Sequence, residues 1–196
     1  MAVAWGEFPG PGLSGTASTL TGAELNQLDG NLLTDMTPGT GISTGTNTIC
    51  EHSVIKVGGI FKTTILLDMT GLNDGDAADD VIGKDGDTAN CHIGEIIAAV
   101  NGTIIMGQMT CLELPATGDV DIDLWGTVAE ATLAQDVDIA TGTGEVICLN
   151  AGDWTLNLRQ DLTGMPGPGH LYLVSGSIGT DANYSAGRFL IELWGT

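Results

Sequence analysis

The chain has 196 residues, of which 42% are hydrophobic and only 5% aromatic, and 25 acidic residues against 5 basic ones give a net charge of -20. That length suits one domain, with a core filled by Ile, Leu and Val. So few Lys and Arg cannot replace the counterions on nucleic-acid phosphates, and the same deficit disfavours anionic membranes, so the expected partner is a protein surface.

Residues 1–48 read as an extended arm. Half of them are Gly, Pro, Ser or Thr and none is Lys or Arg, a composition that cannot bury enough apolar surface to fold alone. The opening MAVAWGEFPGPG lacks the basic region and the apolar core of a signal peptide. No run of about 18 apolar residues predicts a membrane-spanning helix. Trp5 and Phe8 are candidate anchors, either on a partner or on the chain's own sheet. Thr21-Gly-Ala-Glu24 is a capping box that predicts a helix near 22–29, with Leu25 and Leu28 on one face and Gly30 at its stop. Two turns of helix cannot stand alone, so this face has to dock. Gly41-Ile-Ser43-Thr-Gly45 fits G-x-S-x-G. A nucleophile elbow needs a strand before the serine and a helix after it, which these Thr- and Pro-rich flanks do not predict.

Residues 49–196 read as an all-β body. Val54–Val57 and Ile60–Met69 are predicted strands divided by Gly58-Gly59, a turn or a bulge. Thr70–Asn90 is a loop of Asp and Gly. His92–Leu114 is predicted as a central hairpin, because Asn101-Gly102 suits a type I′ turn between the apolar arms Ile96–Val100 and Thr103–Leu114. Asp119–Trp125 alternates, with Val120, Ile122 and Leu124 on one face and three carboxylates facing water. Val128–Asp138 is a short helix or an irregular loop. Gly144–Leu149, Trp154–Leu158, Leu171–Val174 and Phe189–Trp194 complete eight or nine strands. Turn signals at this spacing predict a β-sandwich, and a jelly roll of two four-stranded sheets is the expected form.

The candidate chemistry is sparse. Asp74, Asp76, Asp79 and Asp80 in the acidic loop could begin a calcium site, which needs six to eight oxygens, although the EF-hand pattern is not met. A solvated loop is the expectation, with no cofactor and no resident metal. The three histidines, His52, His92 and His170, are not at metal-ligand spacing. Glu113, Asp119, Asp121 and Asp123 could supply an acid–base pair of glycosidase type, or simply a polar strand face. Cys50, Cys91, Cys111 and Cys148 form no C-x-x-C pair and sit in apolar runs, as buried thiols do. Their use weakly favours assembly in a reducing compartment.

Two sets of residues carry a resemblance. Leu20-Thr-Gly-Ala-Glu-Leu-Asn-Gln-Leu-Asp-Gly30 resembles the phrase T-A-x-E-L-N-x-L-D-G of virion and tail-fibre proteins of tailed bacteriophages, with Gly22 in place of the usual Ala. Gly58–Leu67, His92–Leu114 and the ending Gly187–Trp194 resemble small structural proteins of aquatic bacteriophages. This likeness implies a non-enzymatic virion component on the capsid surface, assembled in the host cytoplasm. Its favoured form is a capsid decoration (cement) protein. Such a protein binds the major capsid protein across capsomer junctions as a homo-oligomer, trimer before dimer, with Trp5, Phe8, Leu25 and Leu28 as anchors. A tail or head fibre or vertex protein is the alternative, and a carbohydrate-binding or carbohydrate-active β-sandwich is the second.

Overall fold

A computed structural model describes residues 36–43, 47–86, 90–128 and 133–196. The helix near 22–29 and the anchors Trp5, Phe8, Leu25 and Leu28 lie outside the described residues. Nine strands are described: β1 (Ile49–Val57), β2 (Ile60–Asp68), β3 (Gly94–Ile96), β4 (Ile104–Ala116), β5 (Ile122–Thr127), β6 (Val146–Leu149), β7 (Arg159–Asp161), β8 (Gly169–Ser175) and β9 (Ala186–Gly195). Two four-residue helices accompany them, α1 (Thr40–Ser43) and α2 (Ala98–Asn101).

The strands form a five-stranded sheet in the order β1-β2-β9-β4-β7 and a four-stranded sheet in the order β3-β8-β5-β6. The antiparallel pairs are nested: β2 with β9, β3 with β8, β4 with β7 and β5 with β6. That nesting is one long hairpin wrapped across two sheets, the connectivity of an eight-stranded jelly roll. β1 is a ninth strand added outside β2, so one sheet has five strands rather than the expected four.

Local sequence accounts for most of this. Gly58 and Gly59 have φ of 59° and 90°, the left-handed pair a type I′ turn requires, and they close the β1–β2 hairpin without a bulge. In β9, Phe189, Ile191 and Leu193 point inward while Arg188, Leu190, Glu192 and Trp194 are more exposed. β4 puts Met109 and Cys111 inside and leaves Gln108 and Thr110 half-buried. Met36 and Ile42, within the segment read as arm, belong to the core of the body. Gly39 donates its N–H to the His92 carbonyl, and Gly41 donates to that of Asn90.

The central hairpin is corrected. β3 and β4 belong to different sheets, and the chain crosses between them through α2. Asn101 is the last residue of that helix, not the first of a type I′ turn. Its buried side chain accepts from the Ile97 N–H at 2.8 Å and donates to Thr63 Oγ1 at 2.9 Å. An Asn that closes its own helical turn at the Ile97 N–H and also binds the buried Thr63 of β2 outweighs the local preference of Asn-Gly for a turn.

Trp154–Leu158 is not a strand, since Asn157 takes a φ of 65° there. Trp154 plugs the space between the sheets instead. Its indole N–H donates to the Ile122 carbonyl at 2.8 Å, and its ring meets Phe189 edge-on with centroids 5.2 Å apart. β7 begins only at Arg159. β5 is buried along its whole length, so the expected water-facing row of carboxylates is corrected as well.

Candidate functional site

The outer face of the five-stranded sheet gathers what a binding surface would use. Strand register sets its residues in rows. Ile55, Lys62, Trp194 and Met106 form one row, and Ser53, Thr64, Glu192, Gln108 and Asp161 the next. A third row runs Glu51, Leu66, Leu190, Thr110 and Arg159, and a fourth Asp68, Arg188 and Glu113. Three of the chain's five basic residues, Lys62, Arg159 and Arg188, therefore share this face. Lys62 Nζ lies 2.6 Å from Glu192 Oε1 and 5.6 Å from the centre of the Trp194 ring. Gln108 donates to the other Glu192 oxygen. The Lys62 bond holds Glu192 below the usual carboxylate range. Arg188 reaches Asp68 at 2.7 Å and Glu113 at 3.8 Å. Burial alone would raise Asp68, but hydrogen bonds from Arg188 and Thr70 pull it below its ordinary value. The face carries ion pairs at its middle, with Ile55 and Met106 exposed beside them.

The acidic loop is not a solvated turn. Residues Asp80–Ile82 run beside β8: Val81 bridges Val174, and the Ile82 N–H reaches the Leu173 carbonyl at 2.9 Å. The four candidate calcium ligands separate. Asp74 is fully buried, and four hydrogen bonds from Asp119 N, Thr180 N, Thr180 Oγ1 and Ala182 N satisfy its carboxylate. Asp79 is half-buried with a φ of 65° and stands outside the cluster. Asp76 and Asp80 do come together, and they are joined by Asp136, 56 residues further on than Asp80. One oxygen from each of the three lies within 4.8 Å of the others. Asp136 was invisible in the sequence because long-range main-chain bonds bring it here: its own N–H donates to the Val81 carbonyl, and the Val81 N–H to that of Val137. Burial, then repulsion from Asp136 and Asp76, raises the Asp80 carboxyl. Three carboxylates are half of the smallest calcium shell, and proton sharing by Asp80 relieves the same repulsion. Asp136→Asn, whose amide oxygen can still accept the Asp76 N–H, should raise stability by about 1 kcal/mol at pH 8. Chemical denaturation with and without calcium would check this; a calcium-dependent stabilisation that the variant abolishes would assign the cluster to the cation instead.

The proposed acid–base set is divided. Glu113 lies on the five-stranded sheet beside Arg188, away from the other three. Asp119 accepts from Asp121 N, Ser177 N and Ser177 Oγ. Asp123 accepts from Ala151 N. These carboxylates hold main chain. Asp121 is raised by burial, then by Asp119 and Asp153.

The three histidines converge, although their spacing gave no sign of it. The rings of His92 and His170 have centroids 4.5 Å apart, and Tyr172 meets His92 edge-on at 6.4 Å. His52 on β1 contacts the Ile93 carbonyl through Nε2 at 2.5 Å. Burial, then the neighbouring His170 and His52, push His92 down to about 4. Beside His170, a cavity of about 320 Å³ opens between Glu95, Ile97, Val128 and Pro168, at the low end of the size of small-molecule sites. No two of the four cysteines are joined by a disulfide, and three are buried, as expected. Burial pushes the Cys50 and Cys148 thiols up to about 12. Ser43 ends the four-residue α1 and follows loop residues rather than a strand.

Compared with protein-family models, with curated proteins and with solved structures, the chain matches none.

Proposed function

We propose that the protein is a virion structural protein of a tailed bacteriophage, a capsid decoration protein that binds the outer surface of the major capsid protein shell across capsomer junctions and stabilises it. The observation that carries this reading is the pairing of a jelly-roll body with a Gly-, Ser- and Thr-rich N-terminal segment that contains Trp5, Phe8, Leu25 and Leu28 but no Lys or Arg. Jelly rolls recur in viral shells and in lectins, and fold alone does not decide between such uses. The phage-like phrase at residues 20–30 favours the shell.

The mechanism is additive. Each copy buries a few aromatic and aliphatic anchors on the shell, and repetition around the particle turns modest contacts into lasting attachment. Deleting residues 1–30 should abolish co-sedimentation with phage heads that lack the protein, while the β body keeps its cooperative unfolding transition. Full binding by the truncated chain would sink the anchoring role. Binding of the full chain in only a handful of copies per particle would indicate a fibre or vertex protein.

A second reading rests on Trp194. A half-buried indole on a sheet face, flanked by Lys62, Glu192 and Gln108, is also what a sugar ring would stack against. Oligosaccharide binding lost in Trp194→Ala, with shell binding absent, would put this reading first.

A further inference from the structure

The register of β3, β8 and β5 sets Glu95, His170 and Thr127 in one row across the smaller sheet. Alternation decides which side that row faces. A side-chain carbon at Gly94 would meet Met36 and His52, so Gly94 looks towards the larger sheet and Glu95 away from it. Leu171, next to His170, is fully buried in the core, which puts His170 on the outer side with Glu95. His92, in the irregular segment before β3, lies over this outer face. Its ring centre is 4.5 Å from that of His170, with the rings tilted by 58°. His52 is on the other side of β3, where its Nε2 meets the Ile93 carbonyl.

Two buried nitrogens distinguish the outer pair. His92 is only 9% exposed, and among the described residues neither His92 Nδ1 nor His170 Nδ1 has a hydrogen-bond partner. Native proteins leave few buried polar atoms in this condition, and those they leave serve a bound water, an ion or a reaction. An imidazole nitrogen with a lone pair is a ligand for transition metals. Glu95 is exposed and stands directly across from His170. Opposed Cβ atoms on neighbouring strands lie about 5 Å apart, so a change of rotamer brings its carboxylate to the imidazole. Glu95 and His170 also line the cavity of about 320 Å³, which leaves room for water.

We propose that His92 and His170, each through Nδ1, and Glu95, through its carboxylate, bind one divalent transition-metal ion at the edge of that cavity, with water completing the shell. Ring geometry selects the class of ion. A metal–nitrogen bond of about 2.0–2.1 Å places the ion roughly 3.2 Å from each ring centre. Centres 4.5 Å apart then subtend about 90° at the ion. That is the angle between neighbouring ligands of a tetragonal or octahedral ion, narrower than a tetrahedral zinc site wants. Nickel(II) is therefore expected ahead of zinc(II), and the nitrogen donors exclude calcium. The acidic cluster is a separate case. Asp76, Asp80 and Asp136 already hold three ligand atoms within 4.8 Å of one another, but all are oxygens, which suit calcium or magnesium. Here two imidazoles are in place and the third ligand swings in. None of this depends on whether the body binds a capsid.

Calorimetric titration of the full chain, free of any tag and treated with chelator, should give one nickel(II) site for which calcium does not compete. His92→Phe, which keeps an aromatic ring, and His170→Asn should each weaken it about a hundredfold, no less than the loss of an outer-shell partner costs. Glu95→Gln should weaken it about tenfold. Because Glu95 is exposed, that variant tests the site without disturbing the fold. His52→Gln and Asp136→Asn should leave the affinity unchanged. Nickel(II) is paramagnetic, so in NMR spectra it should broaden the amide signals of residues 92–95 and 169–171 before any others. No nickel binding, an affinity that survives His92→Phe and His170→Asn, a site lost in His52→Gln or Asp136→Asn instead, or an affinity indifferent to Glu95→Gln would each overturn the proposal.

Discussion

Replacing Asp74 by alanine should destabilise the protein by about 4 kcal/mol. The Asp74 carboxylate is fully buried and accepts from Asp119 N at 2.8 Å, Ala182 N at 2.7 Å, Thr180 N at 3.0 Å and Thr180 Oγ1 at 3.2 Å. It thereby ties the loop after β2 to the lead-in to β5 and to the β8–β9 connection. Alanine leaves three main-chain N–H groups without an acceptor, that of Asp119 buried and those of Thr180 and Ala182 partly so, and a buried donor left in this way costs about 1–3 kcal/mol. Relief of repulsion with nearby carboxylates offsets part of the sum. Asparagine is no remedy. Its amide nitrogen would face main-chain donors, so a loss of about 3 kcal/mol is expected. Urea denaturation with an unchanged m-value would establish the effect. A loss below about 1 kcal/mol for alanine would mean that this carboxylate is not the tie between the three segments. Against a typical domain stability of about 5–15 kcal/mol, this one loop residue contributes as much as a large core side chain.

Asp74 also marks where the sequence stopped being legible. The strands could be read wherever an apolar, strand-forming run is bounded by glycine, as in Ile60–Asp68 and Ala186–Gly195, and there the all-β sandwich and its jelly-roll form followed. The Gly58-Gly59 turn was legible for the same local reason. Asn101-Gly102 was misread because a decisive partner, Thr63, lies in β2, where no local spacing points to it. The carboxylates were misread for a related reason. Alternation in Asp119–Trp125 says which residues share a face, but not whether loops cover that face. Here main-chain N–H groups from Ala151, Ser177 and Asp121 take the place of water. An Asp-rich loop can be a hydrated turn or a buried acceptor set, and only long-range contacts decide between them. The Asp76–Asp80–Asp136 cluster and the meeting of three distant histidines are of this kind, since no spacing in the chain encodes them.

Two buried titrating groups make a second large effect, which depends on pH. Burial, then repulsion from Asp121, Asp79 and Asp119, raises Asp123 from 3.8 to about 6, while the Ala151 N–H opposes the shift. A raised acid weakens the fold when ionised. Its cost is fully present above the folded value and disappears as pH falls from about 6 towards 3.8. Roughly two units correspond to about 3 kcal/mol. His92 works in the opposite direction. Its folded value of about 4 lies below the ordinary 6.5, so its contribution is fully present above 6.5 and is lost as pH falls to about 4, again by about 3 kcal/mol. In the wild type the two slopes nearly cancel between pH 7 and 4. Asp123→Asn keeps an oxygen for the Ala151 N–H and removes the ionised carboxyl, so it should stabilise the protein by about 2 kcal/mol at pH 8. It should also uncover the histidine, with stability falling steeply as pH drops from 6.5 to 4. His92→Phe, which keeps an aromatic ring beside His170 and Tyr172, should do the reverse and grow more stable over the same window. Denaturation curves of the three proteins from pH 8 to 4 would decide the matter. Parallel curves would show that neither group titrates as its surroundings dictate, whereas opposite slopes would identify Asp123 and His92 as a compensating pair that holds stability level while a strongly acidic chain gains protons.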